Sequence, residues 1–93
     1  MSEITFEDFA ARQRAKGFDA IVERKWGAKV VVEAHTHPFS VEALVVQGEM
    51  WLTVGNDVGH LTPGDTFTLG REVPHSERYG LEGATYWAAR RNG

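Results

Sequence analysis

The sequence predicts an all-β barrel preceded by one short helix. From residue 18 onward, short segments rich in β-branched and aromatic residues alternate polar and apolar positions, the period of half-buried strands. Gly, Pro, Asn and Asp fall between these segments at the spacing of a sandwich or closed barrel. His35 and His37 lie two apart, so on a strand both point to one face, and His75 arrives on a later segment.

The elements follow in chain order. Thr5, with Glu7 and Asp8 behind it, reads as an N-cap with acids in the first turn. Phe6, Phe9 and Ala10 repeat at helical spacing, and Gly17 after Arg14 and Lys16 is a stop, so the helix is predicted over 6–16. Phe6 and Phe9 are expected to form a lid on the barrel core. Strands are predicted over 18–26 and 28–37, broken at Gly27, and over 41–47 and 49–54, flanking Gly48. Gly55-Asn56-Asp57 is a hairpin signal leading into a strand over 58–61. Thr62-Pro63-Gly64-Asp65 is turn chemistry, with proline pre-setting φ and glycine permitting a positive one. Strands over 66–69, 75–79 and 84–90 complete roughly eight.

With 93 residues the chain is read as one domain, its helical segment over 1–17 and its barrel over 18–93. Apolar residues at 42% and charged residues at 25% are an ordinary globular balance and argue against disorder. A net charge of -3 offers no electrostatic reason to expect nucleic acid as a partner. There is no cysteine, which excludes disulfides and thiolate ligands, so a metal site must use His, Asp or Glu. Met1-Ser2-Glu3 opens no basic-then-apolar run, and no apolar stretch is long enough to span a bilayer. The expectation is a cytoplasmic protein without a membrane partner.

Three imidazoles with a carboxylate or water suit a divalent transition metal: Fe, Ni, Mn, Zn or Cu. His35, His37 and His75 are the candidate ligands, and Glu77, two residues beyond His75, shares its face. Tyr79 continues that phase and is placed near the pocket; Gln47, in phase with Val41, Ala43 and Val45, is a second candidate for its lining. His60, beside Gly59 in a hairpin, is read as a surface residue. Arg71, Arg78, Arg90 and Arg91 could attract an anionic substrate, although scattered surface arginines are the commoner arrangement. There is no glycine-rich phosphate loop and no Gly-x-Ser-x-Gly elbow.

These motifs resemble those of the small single-domain members of the cupin superfamily over roughly residues 27 to 80. Gly27, His35, His37, Glu42 and Gly48 match a first motif; Pro63, Gly64, Asp65, Pro74 and His75 match a second. The resemblance implies a double-stranded β-helix, or jelly-roll barrel, with His35, His37 and His75 as metal ligands at its mouth. It also implies a homodimer. The spacing departs from the family at one point: the usual glutamate falls at Val41, and a one-residue offset turns Glu42 to the opposite face unless a bulge corrects it. Gly70-Arg71-Glu72 stands where the family usually carries Pro and Gly.

Two functions rank ahead of a structural or interaction protein whose barrel is only scaffold. One is a metal-dependent oxygenase or isomerase acting on a small molecule, with Glu77 or Glu42 as fourth ligand or general base. The other is a non-enzymatic barrel that captures or senses a small ligand. Fold and ligand set do not determine the reaction.

Overall fold

Thr5 starts α1 (Phe6–Ala15), the one helix among the described residues, in the computed structural model, which describes residues 4–92. The Thr5 hydroxyl accepts a bond from the Asp8 N–H at 3.1 Å, and the Asp8 carboxylate accepts one back from the Thr5 N–H at 3.3 Å. This reciprocal cap satisfies two otherwise orphaned donors. Lys16 caps the other end, one residue before the expected stop, and Gly17 turns the chain away with φ +92°. The reading of Met1-Ser2-Glu3 lies outside the described residues. Among the described residues no helix is long and apolar enough to cross a membrane.

Among the described residues six strands follow: β1 (Ala20–Trp26), β2 (Val31–His35), β3 (Ser40–Val54), β4 (Asp57–Leu61), β5 (Thr66–Leu69) and β6 (His75–Arg91). The eight expected segments are present, but four of them run together in pairs to make the long β3 and β6. Gly48 and Gly83 explain the difference. Both take positive φ, +77° and +71°, and the register between β3 and β6 shifts beside Gly48. A Cβ on Gly48 would collide with the Gly83 carbonyl, and one on Gly83 with the carbonyl of Trp26. Glycine here permits a bulge and close backbone approach, so the strands bend and continue where the sequence suggests an end.

All pairing is antiparallel. β6 has β3 along one side; on its other side its first half pairs with β2 and its second half with β1. β3 in turn carries β5 beside its first half and β4 beside its second. The folded-over sheet encloses a core of Val41, Ala43, Val45, Met50, Leu52, Leu69, Tyr79, Ala84, Tyr86 and Ala88. Val45 and Met50 are fully buried.

The helix does not close this core. Phe9 packs with Trp87 and Ala89, and Phe6 meets Trp87 edge-on at 5.6 Å, forming a second core on the outer face. Along β6 the side chains alternate, so Tyr86 and Ala88 face inward while Trp87 and Ala89 meet the helix. The expected lid is thus an outer layer on the sheet, and the mouth stays clear of it.

Candidate metal centre

His35 ends β2 directly opposite His75, the first residue of β6. Between Val32 and His35 the register shifts, so three steps along β2 answer two along β6. That bulge lets Val32 and His35, of opposite parity, line the same cavity. His37 lies two residues beyond the end of β2, not on it, and its ring still turns inward with that of His35 while Thr36 is exposed. Its backbone is pinned because the Glu72 N–H donates to the His37 carbonyl at 2.8 Å. The loop that delivers His75 therefore also holds His37.

The three rings form a triangle with centroids 4.3, 4.8 and 4.9 Å apart, and their ligating nitrogens all lie within 4.8 Å of one another. Nδ1 of His35 is 2.8 Å from the Glu33 carbonyl and Nδ1 of His75 is 2.9 Å from the Val73 carbonyl. A carbonyl only accepts, so each Nδ1 carries the proton and each Nε2 presents a lone pair to the cavity. His37 stacks on Phe39 at 4.9 Å. Burial first, then the neighbouring His75 and His35, lower its pKa below 6.5, which favours the neutral, ligating form.

Glu77 enters from the same strand as His75. One carboxylate oxygen lies 3.6 Å from His35 Nε2 and 3.7 Å from His75 Nε2. The other accepts a 2.5 Å hydrogen bond from the Tyr79 hydroxyl. Burial, followed by the influence of Tyr86 and Glu77, drives the Tyr79 pKa far upward, so the phenol stays a donor. Burial also raises that of Tyr86, whose oxygen accepts from Trp26 Nε1 at 3.4 Å. Tyr79 stacks on Trp26 at 5.3 Å.

The structure brings His35, His37, His75 and Glu77 together around a cavity of about 110 Å³. Tyr79 does not line that cavity; it is buried beneath, holding Glu77. Glu42 is not brought in. It sits in a regular ladder, paired with Thr68 and Ala89, so no bulge corrects its parity and its carboxylate meets Lys16 at 2.7 Å beside the helix. Val41, at the position where the family usually has glutamate, faces the cavity instead. Gln47 is exposed, because a register shift between Val45 and Gln47 breaks the alternation on which its inward placement rests.

Arg24, which no motif marks, lines the cavity, as does Arg90. The signal for Arg24 is its phase: Val22 and Trp26 on either side of it pack against the inner core.

The donor set suits a divalent metal. Ion–nitrogen bonds of about 2.0–2.1 Å in a tetrahedral site place two donors about 3.3 Å apart, so the rings, whose ligating nitrogens lie within 4.8 Å of one another, would close inward by up to about 1.5 Å to complete the site. Three neutral imidazoles with a carboxylate alongside match borderline metals that accept nitrogen and oxygen.

A family model described as the AraC-like ligand binding domain matches residues 17–89. No curated protein matches the chain significantly. Among solved structures, KdgF from Halomonas sp. is 20% identical with a TM-score of 0.71, over 78% of this chain and 67% of its own. The DMSP lyase DddQ from Ruegeria pomeroyi is 22% identical with a TM-score of 0.72, over 77% of this chain but only 37% of the lyase. A Rhizobium leguminosarum protein of unknown function, 16% identical with a TM-score of 0.75, covers 100% of this chain and 98% of its own. This chain thus spans about two thirds of the first and much less of the second, and at such identities the likeness concerns the fold. On the family match and this architecture, the chain belongs to the AraC-like ligand binding domain family and is a small cupin.

Proposed function

We propose that this cupin binds a divalent transition metal through His35, His37 and His75 and acts on a small molecule in the adjoining cavity, as an oxygenase or isomerase. The observation that carries the reading is the pair of backbone-anchored imidazoles, His35 and His75, whose free Nε2 atoms face Glu77 inside a partly closed cavity. Such anchoring fixes tautomer and ring direction and raises ligand basicity. A bound metal would supply Lewis acidity or a site for oxygen chemistry. Glu77, buried and held at one oxygen by Tyr79, has its second oxygen free to accept a proton from substrate or to join the ligand set. Phe39, Phe67 and Leu69 wall the cavity and exclude water from one side of a bound molecule. The enzymes among similar folds, a DMSP lyase included, make catalysis a reasonable assignment without naming the reaction.

The test is metal analysis of protein expressed without an affinity tag, followed by chelation and calorimetric titration with zinc, nickel, manganese and ferrous iron. One tightly held equivalent is expected. Failure of every metal to bind would overturn the reading.

A second reading is a binding module that senses a small ligand without turnover, and the family description favours it. Thermal stabilisation by a ligand in the metal-free protein, with no turnover on reloading, would select it. Homodimer formation in the cytoplasm is part of the same proposal, and sedimentation at micromolar concentration tests the dimer.

A further inference from the structure

We infer that the ligand of this cavity carries a carboxylate, recognised by Arg24 and Arg90, which line it together with the histidines; this rests on the cavity being the binding site. Both arginines line it. The Arg24 guanidinium lies over the Trp26 ring at 5.2 Å, and that of Arg90 over the Phe39 ring at 4.8 Å. Among the described residues neither is paired with a carboxylate, although Arg91 and Lys16 elsewhere have found oxygen partners.

Stacking on an aromatic ring fixes the plane of a guanidinium and leaves the edge donors free. Those donors match a carboxylate two at a time. The charge balance agrees. The protein as a whole carries a net charge of -3, yet its cavity holds two guanidinium groups against the one carboxylate of Glu77, which is already bonded to Tyr79. An acidic protein with a cationic cavity focuses small anions there. The rest of the wall, including Val32, Phe67 and Leu69, is apolar and suits a short carbon body. A small organic acid therefore fits better than a neutral sugar or an amine.

The experiment titrates succinate, and its neutral diamide as a control of matched size, into metal-free and zinc-loaded protein, read by calorimetry and by the side-chain Nε–Hε signals of the arginines. Succinate is expected to shift the Arg24 and Arg90 signals, and the diamide to bind at least tenfold more weakly. Arg24→Met and Arg90→Met should each weaken succinate by tenfold or more, with folding checked by circular dichroism. If Arg90→Met fails to fold, the wild-type signals and Arg24→Met decide. Equal binding of acid and diamide, arginine signals that do not move, or a succinate affinity unchanged in Arg24→Met overturns the inference. Zinc titration in the same samples separates the two ideas: zinc binding with no arginine-dependent succinate leaves the metal reading standing alone, whereas arginine-dependent succinate in a protein that takes no metal sinks that reading and upholds this one.

Discussion

His60 on β4 and the pair His35 and His75 in the cavity each face a glutamate, but under opposite conditions. His60 Nε2 sits 2.8 Å from Glu49, with both side chains substantially exposed, and its ring stacks on Trp51 at 4.7 Å. His35 and His75 stand farther from Glu77, at 3.6 and 3.7 Å, with the His75 and Glu77 side chains only 2% and 7% exposed. The outer pair has satisfied itself in a medium that screens charge. The inner set has spent its Nδ1 protons on backbone carbonyls and one Glu77 oxygen on Tyr79, leaving its remaining lone pairs directed at a shared space. Proximity alone therefore does not distinguish a site. Burial with uncommitted donor atoms does.

Removing one member from each set gives the widest contrast. His75→Ala is expected to weaken zinc binding by more than the roughly 10–100-fold lost when outer-shell partners are mutated, whereas His60→Ala should leave it unchanged, both by calorimetry. Tyr79→Phe comes next. It strips a buried Glu77 oxygen of its donor, at a cost of about 1–3 kcal/mol in chemical denaturation, and should lower metal affinity about tenfold.

Acid should also separate the regions. The His37 pKa is lowered in the folded protein, so near and below 6.5 the unfolded chain binds the proton more readily than the folded one. Stability then rises with pH across that window. It is full above 6.5 and lost as pH falls through the lower, folded value. Melting the metal-free protein from pH 7.5 to 5.5 should show this decline, and His37→Gln should flatten it. The smallest effect belongs to the outer pair: Glu49→Gln should change stability by no more than about 1 kcal/mol.

Much of this was legible from residue types. Thr5 and Asp8 announce the cap, and the parity of His75 and Glu77 on one strand brings their side chains to one side without knowledge of the partner strands. The strand breaks at Gly48 and the outward turn of Gln47 share one cause. A glycine in a strand can mark an end or a bulge, and Gly48 proves a bulge only through Gly83, 35 positions later in the numbering of the same ladder set. The shift between Val45 and Gln47 is invisible in β3 alone, because it is defined by the pairing with Tyr86 and Thr85. Arg24 has the same difficulty: its place in the cavity depends on β1 lying against the second half of β6, with Arg24 opposite Tyr86. Local pattern specifies parity, while bulges and neighbours are set by distant segments.

β6 runs without interruption from His75 to Arg91 and supplies the seam along which β1, β2 and β3 are all joined. Fraying of any one flank thus exposes amides on the strand that bears a ligand at one end and a cavity arginine near the other. Occupancy at the histidine end should slow amide exchange as far away as the last turns of this seam, so that a local binding event is felt as cohesion of the whole sheet.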